Sequence, residues 1–308
     1  MRKIYAIGET LFDIIFKDGQ PQAGKPGGAM LNSTVSLGRI GLPVSLISEY
    51  GEDDLGKIID KFLHDNGVDT SNTDHFDAGN TALAIAVLDE RNDANYTFYK
   101  KYPSNRLEMG FPLIQSNDII LCGSIYAVTA EIRRRYAEFI SSSKEKGAIV
   151  IYDPNFRKTH LSDLEKLKPL IIENIQMSGL VRASDEDFEN IFGAKDADEA
   201  YSAIRKYCSV LVYTSSTEGV YVRTPGFSGN FPVRKIIPVS TIGAGDNFNA
   251  GMITAIYKIG ITSDELGKMG EEKWNSIVST GVDFATEVCL SYENYISREF
   301  ADKFKQKV

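Results

Sequence analysis

Short apolar runs alternate with segments of helical hydrophobic spacing along most of this 308-residue chain. The apolar runs predict buried strands, and segments with apolar residues three or four positions apart predict helices. The strands are expected at 2–8, 43–49, 119–122, 148–152, 179–182 and 210–213, with a hairpin at 219–233. The helices are expected at 27–41, 55–66, 130–146, 161–174, 185–193, 196–207, 244–259 and 272–289. Such alternation predicts an α/β fold, a mainly parallel sheet with helices on both faces.

Two segments break the alternation, at about 11–24 and 80–101. In the second, apolar runs at 81–88 and 95–99 are joined by a short polar link, which is typical of a β-hairpin. These segments are candidates for a small β-sheet laid over a site as a lid. The predicted organisation is one domain over residues 1–308 that carries this lid.

Residues 240–251, Ser-Thr-Ile-Gly-Ala-Gly-Asp-Asn-Phe-Asn-Ala-Gly, carry the most informative motif. The motif follows an apolar run at 235–239 and precedes a helical pattern, so a strand, a glycine loop and a helix are predicted in that order. Gly243 and Gly245 permit a sharp turn and a close approach of the backbone to a ligand. The unpaired N–H groups and the positive dipole end of the following helix suit an anion such as a phosphate.

Asp246 falls in the first turn of that helix, beside the expected anion. A carboxylate is awkward there unless it removes a proton from an attacking hydroxyl, which is the chemistry of phosphoryl transfer with a built-in base. The alternative is that Asp246 only complements the helix dipole. The motif alone leaves both interpretations open.

Polar clusters follow several predicted strands at their carboxyl ends, where open parallel sheets bind ligands. These clusters are Gly8-Glu9 leading to Asp13, the segments 153–157 and 184–187, and the glycine loop. Four such clusters at one edge of a sheet predict a binding site there.

The net charge of −8 and a pI near 5.1 argue against a nucleic acid or a membrane surface as partner, because both favour a basic protein. No apolar run reaches the roughly 18 residues that span a bilayer. The three cysteines lie far apart without metal-ligand spacing, so reduced thiols and a cytoplasmic location are expected. The three histidines form no cluster, and a histidine-ligated metal is therefore not expected.

Three motifs resemble those of the ribokinase or PfkB-like family of carbohydrate kinases, and the resemblance runs from residue 5 to about residue 290. They are the double-glycine segment 27–34, the segment 51–56, and the glycine loop 241–246 followed by Phe248 and Ala250-Gly251. The resemblance implies the ribokinase-like form of the α/β fold. The branch that the chain resembles most contains the fructokinases and the 2-keto-3-deoxygluconate kinases, on the segments 8–13, 153–157 and 181–187.

The resemblance also implies a role for each matching residue. Asp246 is the base that removes a proton from a sugar hydroxyl, which then attacks the γ-phosphate of ATP. The backbone N–H groups of Gly243, Ala244 and Gly245 stabilise the charge that develops. The residues implied in binding the sugar are Asp13, Gly28, Asn32, Asn155 and Arg157, with Lys100, Lys101 and Arg106 as weaker candidates. For Arg157, a surface ion pair is the alternative.

The chain departs from the family pattern at three places. Ser240 stands where many members have an aspartate that helps hold a monovalent cation, so dependence on K⁺ stays open. The segment 184–187, Ser-Asp-Glu-Asp, replaces the family's Asn-x-x-Glu motif, and Asp187 or Glu186 is expected to organise Mg²⁺ through water. Ser216 replaces a glycine near the nucleotide. The residues expected to line the nucleotide are Ser184, Thr214, Ser216, Gly219, Gly243 and Gly245.

The sequence therefore predicts a sugar kinase that uses ATP and Mg²⁺, with fructose as the first choice of substrate and 2-keto-3-deoxygluconate as the second. A catalytically silent sugar-binding regulator on the same fold is an alternative from another class. A dinucleotide-dependent oxidoreductase is a further alternative, although the first strand is not followed by the G-x-G-x-x-G turn of such enzymes. A homodimer in which two lids pair edge to edge is also expected.

Overall fold

In the computed structural model, residues 2–88 and 94–306 are described, so the polar link 89–93 of the predicted hairpin lies outside the described residues. The strands are β1 (Ile4–Ile7), β2 (Leu11–Lys17), β3 (Gln20–Gly27), β4 (Val44–Gly51), β5 (Val68–Asp69), β6 (Thr73–Phe76), β7 (Asn80–Leu88), β8 (Ala94–Lys101), β9 (Ile119–Gly123), β10 (Ile149–Asp153), β11 (Leu180–Ser184), β12 (Leu211–Ser215), β13 (Gly219–Arg223) and β14 (Ser228–Phe231). The α-helices are α1 (Ala29–Arg39), α2 (Asp54–Asp65), α3 (Arg133–Glu145), α4 (Leu164–Met177), α5 (Asp185–Phe192), α6 (Ala197–Ile204), α7 (Ala244–Lys258), α8 (Glu271–Cys289) and α9 (Arg298–Gln306).

The larger sheet runs β14-β13-β12-β11-β10-β9-β1-β4-β5 across the described residues, with β6 beside the carboxyl half of β4. The pairings from β12 to β5 are parallel, and the β12-β13-β14 edge is antiparallel. The predicted mainly parallel sheet and the predicted hairpin at 219–233 are therefore confirmed. The carboxyl ends of the parallel strands meet at one edge, and this edge carries the candidate site.

Two apolar layers cover this sheet, because successive residues of a strand point to opposite faces. In β1, Ile4 and Ala6 pack into one layer with α1, α2, α7 and α8, whereas Tyr5 and Ile7 pack into the other layer with the helices α3 to α6. A strand that is buried on both faces needs a continuous apolar run, which is the pattern seen in the sequence. The expected helices on both faces are confirmed.

A second, smaller sheet has the order β3-β2-β7-β8. Strands β2 and β7 pair in parallel, and β3 and β8 flank them in antiparallel fashion. The two segments that break the alternation thus form a separate sheet, as predicted. Strand β3 extends to Gly27, three residues beyond the expected end, and leads directly into α1.

The prediction of a strand at 235–239 is wrong. No strand forms between β14 and α7, and the side chain of Ile237 is 92 % exposed. Pro232 and Pro238 lack the amide hydrogens that a strand in a sheet would donate, so the apolar run does not pair. An irregular, exposed segment therefore leads into the glycine loop. Helix α9 and the short strands β5 and β6 were not predicted from the pattern.

No helix among the described residues is both long and apolar enough to cross a membrane. Cys122, Cys208 and Cys289 are free thiols, as the sequence predicts. Burial raises the pKa of Cys122 to about 12, so this thiol stays protonated at neutral pH.

Candidate active site

The glycine loop turns at Gly243, whose φ of +78° lies in the left-handed region that favours glycine. A Cβ on this residue would lie 2.8 Å from the backbone oxygen of Asn294, so the close approach of the two segments also requires glycine. Helix α7 begins at Ala244, whose N–H already donates to the Thr241 oxygen at 3.2 Å. Of the three predicted donors, Gly243 and Gly245 keep N–H groups that have no acceptor among the described residues. The predicted glycine loop and its helix are thus formed, with donors available for an anion.

Asp246 lies in the first turn of α7 and is only 8 % exposed. Its Oδ2 accepts a hydrogen bond from Asn32 Nδ2 of α1 at 2.8 Å, and its backbone oxygen accepts one from Ser33 Oγ at 2.8 Å. Asn32 Oδ1 is buried, and no residue that the structure describes donates a hydrogen bond to it. An unpaired acceptor of this kind suits a ligand hydroxyl.

The carboxyl group of Asp246 has an unusual electrostatic environment. Burial raises its pKa to about 6, while the hydrogen bond from Asn32 opposes this rise. The charge of Asp153 raises the pKa further, and the charges of Arg157 and Arg182 lower it. A carboxyl with this pKa is ionised at pH 7 and is more basic than an exposed aspartate, which suits a general base. A residue that only complements the helix dipole has no need of this burial.

If Asp246 acts as the base, kcat/KM is expected to fall about tenfold per pH unit below about pH 6. The sign follows from the raised pKa, because the inactive protonated carboxyl accumulates as the pH falls through that value. The same shift lowers stability as pH rises from about 4 to about 6, since only the unfolded chain releases this proton in that range. A pH profile of kcat/KM, with circular dichroism at each pH, measures both. An acid limb that lies below pH 4.5 would contradict this assignment.

Arg182 on β11 is a candidate functional residue that the hydrophobic pattern did not single out. Its buried guanidinium donates from Nη1 to Asp153 Oδ2 at 2.9 Å and from Nη2 to Thr214 Oγ1 at 2.8 Å. A Cβ on Gly245 would lie 2.8 Å from Arg182 Nη1, so this positive charge lies against the start of α7. Asn249 Nδ2 of α7 also donates to Asp153 Oδ2, at 2.6 Å. The network places a buried Arg182–Asp153 ion pair beneath the glycine loop, with the guanidinium on the side of Gly245.

The expected metal-organising role of Asp187 is not supported by its contacts. Its Oδ1 accepts the N–H of Phe156 at 2.6 Å, and its Oδ2 accepts the N–H and the hydroxyl of Ser184 at 2.8 and 2.7 Å. Asp187 and Ser184 thus form the capping box of α5. Glu186 is exposed, with its carboxylate 3.6 Å from Lys158 Nζ. The described residues contain no group of three or more histidine, cysteine or acidic side chains that would hold a metal ion.

Of the expected nucleotide-lining residues, Ser184 and Thr214 are register partners at the ends of β11 and β12. Ser216 has a φ of +28°, which a glycine would adopt more readily. Gly219 has a φ of +128°, and a Cβ there would lie 2.6 Å from the Phe231 oxygen. The hairpin therefore explains Gly219 without a ligand.

The expected sugar-binding residues at the start of the chain also lie together. A Cβ on Gly27 would lie 2.1 Å from Asp13 Oδ2, so the carboxylate packs directly on the double glycine. Gly28 has a φ of +132°, and a Cβ there would lie 2.3 Å from the Glu9 oxygen. Burial raises the pKa of Asp13 to about 6, and Lys25 opposes this rise.

Asn155 and Arg157 follow β10 at the same edge of the sheet. Asn155 has a φ of +41°, and its N–H donates to Asp153 Oδ1 at 3.0 Å. Arg157 is exposed, and it makes no ion pair with any residue that the structure describes. The surface ion pair considered as its alternative is therefore absent from the described residues. Its charge lowers the pKa of Asp246, so it acts on the candidate site.

The cations in and after the small sheet already have carboxylate partners. Lys100 Nζ lies 2.7 Å from the Glu9 carboxylate, which also accepts the hydroxyl of Tyr102 at 2.8 Å. Arg106 Nε donates to Glu49 Oε1 at 2.9 Å in a buried pair. Lys100 and Arg106 are two of the three weaker candidates for binding the sugar, and these contacts neutralise their charges.

The chain belongs to the pfkB family of carbohydrate kinases, because the model of that family matches residues 1–295. Among curated proteins, a probable fructokinase-3 of Arabidopsis thaliana is 26 % identical over 266 residues, which cover 82 % of this chain and 77 % of that protein. Fructokinase-1 of Oryza sativa subsp. japonica is 27 % identical over 269 residues, which cover 83 % of each protein. The family predicted from the three motifs is confirmed, and the alternative of a dinucleotide-dependent oxidoreductase is excluded.

Two solved structures share the fold. A fructokinase from Vibrio cholerae O395 in a fructose-, ADP- and calcium-bound form has a TM-score of 0.83 at 22 % identity and covers 99 % of both chains. An aminoimidazole riboside kinase from Salmonella enterica, complexed with aminoimidazole riboside and an ATP analogue, also has a TM-score of 0.83, at 19 % identity and 99 % and 100 % coverage. These similarities confirm the predicted ribokinase-like fold.

Proposed function

We propose that this protein transfers the γ-phosphoryl group of ATP to a hydroxyl of fructose. The observation that carries the proposal is the buried Asp246 carboxylate at the start of α7, held by Asn32 and given a pKa of about 6 by its burial. The proposal is further supported by curated relatives named fructokinase. It accounts for both the base and the adjacent anion-binding donors.

In the proposed reaction, Asp246 accepts the proton of the sugar hydroxyl as its oxygen forms a bond to the γ-phosphorus. The bond between that phosphorus and the bridging oxygen of ATP breaks, and ADP leaves with the electron pair. The N–H groups of Gly243 and Gly245 oppose the negative charge on the transferring group. Asn32 keeps the carboxylate oriented toward the hydroxyl.

Magnesium supplies charge neutralisation to phosphoryl transfer when it is bound. The side chains at this edge do not form a ligand set for it, because both oxygens of Asp187 are engaged in capping α5. Magnesium that enters with the nucleotide's own phosphates would need few protein ligands. No step proposed for this chain's residues depends on a particular metal contact.

The neutralised cations favour a neutral sugar over 2-keto-3-deoxygluconate. A carboxylate substrate needs a free cation, yet Lys100 and Arg106 are paired with Glu9 and Glu49. Near Asp246, Arg182 is likewise paired with Asp153, which leaves Arg157 as the cation without an ion pair among the described residues there. The phosphates of ATP also require a cation. Fructose therefore fits these charges better than a sugar acid.

The test is ADP release with MgATP across fructose, 2-keto-3-deoxygluconate, ribose, glucose and a nucleoside. We expect the highest kcat/KM with fructose. A higher value for 2-keto-3-deoxygluconate would overturn the substrate assignment while retaining the kinase. Calorimetric binding of a sugar without any ADP release would instead support the silent regulator.

The small sheet is proposed to close over the sugar as a lid. Its strand β2 carries Asp13, and Lys100 on β8 reaches Glu9 beside the double glycine. Fructose is expected to slow amide hydrogen exchange in β2, β7 and β8, because a closed sheet exposes fewer backbone groups to water. Mass spectrometry of peptides from these strands measures the change. Exchange that is unaltered at saturating fructose would contradict closure.

The same sheet is proposed to form the interface of a homodimer. Its strands carry the half-exposed apolar side chains of Val87 and Tyr99, and its outer strand edges are open to pairing in the described structure. Sedimentation velocity is expected to give a dimer that Tyr99→Asp converts to monomer. A monomeric wild-type protein at micromolar concentration would contradict the interface.

A further inference from the structure

Lys25 joins the small sheet to a distant loop near the C-terminus. It lies on β3, and its Nζ donates to the backbone oxygen of Tyr292 at 2.6 Å. Burial lowers the pKa of Lys25, whereas the charges of Glu293 and Asp13 raise it. The ammonium group thus contacts the Tyr292 carbonyl, and Lys25 is the register partner of the candidate sugar ligand Asp13 across β2 and β3.

The loop that Lys25 holds also supports the glycine loop. Asn247 Nδ2 donates to the backbone oxygens of Gly243 and Asn294, both at 2.8 Å. The Asn294 backbone lies so close to Gly243 that a Cβ there would be 2.8 to 3.3 Å from its atoms. On the other side, the Val239 N–H donates to the Cys289 oxygen at 2.8 Å. A displacement of the loop 289–294 must therefore displace the donors at the start of α7.

Ser36 fixes the far side of this arrangement. Its hydroxyl donates to Asn247 Oδ1 at 2.5 Å and accepts the N–H of Ile296 at 3.1 Å. Hydrogen bonds through Ser36 and Asn247 thus connect helix α1 to the loop 289–296. Lys25 ties the same loop to β3 from the other direction, next to Asp13.

We propose that Lys25 is a positioning residue, whose ammonium group links the sugar-side sheet to the glycine loop through Tyr292 and Asn294. The proposal rests on the proposed sugar kinase function. Lys25 touches neither the base nor the donors of the glycine loop. Through this link, a sheet that closes on a sugar brings the glycine loop into its catalytic position.

The first test compares Lys25→Met with Lys25→Arg in buffers free of potassium and ammonium. Lys25→Met keeps a long side chain but removes the charge, and it is expected to lower kcat about 10²-fold, the effect of a small misplacement of catalytic groups. The KM for the sugar is expected to change much less than kcat. Lys25→Arg keeps a cationic donor and is expected to retain most of kcat. Lys166→Met, which removes an exposed lysine of α4, is the control for loss of a lysine charge and is expected to match wild type.

Rescue separates a positioning role from a general loss of structure. Ammonium is expected to raise the ratio of Lys25→Met kcat to wild-type kcat with saturation, because the methionine side chain ends one atom short of the lysine Nζ and leaves that position beside the Tyr292 carbonyl for the ion. A folded Lys25→Met enzyme with wild-type kcat would overturn the proposal. A loss of kcat that no small ammonium ion restores would also overturn it.

Hydrogen exchange gives a readout that does not depend on turnover. Amides of residues 241–246 are expected to exchange faster in Lys25→Met than in wild type, with no such change in Lys166→Met. If wild type phosphorylates no sugar, the proposed function fails, while this exchange difference still tests the link. Equal exchange in the variant and wild type would overturn the link even in an active kinase.

Discussion

Replacing Asp246 with asparagine is expected to lower kcat by about 10²- to 10⁴-fold, the usual contribution of a general base. The amide has the shape of the carboxyl group but cannot accept the proton of the sugar hydroxyl. The pair with Asn32 is also altered, because the carboxylate acceptor is lost. Steady-state ADP release gives kcat, and the KM for the sugar is expected to change much less.

Asp54→Asn is the matched control for this substitution. Asp54 lies in the first turn of α2, as Asp246 does in α7, but its side chain is exposed. If Asp246 only complemented a helix dipole, both substitutions would have similar small effects on stability and little effect on kcat. An Asp246→Asn enzyme with at least a tenth of wild-type kcat would support that simpler role.

Gly243→Ala is expected to lower kcat by about 10²- to 10³-fold, the range seen when one oxyanion-binding donor is lost. The added Cβ would lie 2.8 Å from the Asn294 oxygen, which is too close for a real contact. The loop must therefore shift and move the N–H groups at the start of α7 away from the transferring phosphoryl group. The same ADP-release assay measures the loss.

Gly260→Ala is the control for backbone strain. Gly260 follows the other end of α7 with a φ of +71°, close to that of Gly243, but a Cβ there would have no described atom within 4 Å. Both variants are expected to lose about 1 to 2 kcal/mol of stability, because a non-glycine residue is strained in this conformation. Only Gly243→Ala is expected to lose activity. Equal kcat values for the two variants would show that strain alone sets the effect.

The layered fold was predictable because strands buried on both faces have continuous apolar runs, as β1 and β10 do. The run at 235–239 is also largely apolar, but Pro238 lies within it and Pro232 shortly before it. Its hydrophobicity alone predicted a strand that the sheet does not contain. Helix α9 has few apolar residues, and these pack as Phe300 and Phe304 against Phe284 of α8. This packing depends on contacts between residues of two different helices, so the hydrophobic pattern of α9 alone does not predict the helix.

The base and the glycine loop were predictable because their chemistry follows from adjacent residues. The role of Arg182 was not predictable, because a single basic residue near the end of an apolar strand usually indicates that the strand end is exposed to solvent. Its partners Asp153 and Thr214 are 29 and 32 positions away in the chain. The role expected of Asp187 had a similar limit, because the sequence cannot distinguish a capping carboxylate from one that faces a ligand.

We propose that Asp246 and the glycine loop together transfer a phosphoryl group to a sugar hydroxyl. Phosphorus NMR of a mixture of MgATP, fructose and the protein tests it most directly, since it follows both products at once. We predict that a fructose phosphate and ADP appear in equal amounts with wild type and that neither accumulates appreciably with Asp246→Asn over the same time. ADP that appears with inorganic phosphate alone, or equal sugar phosphate formation by both proteins, would contradict the claim.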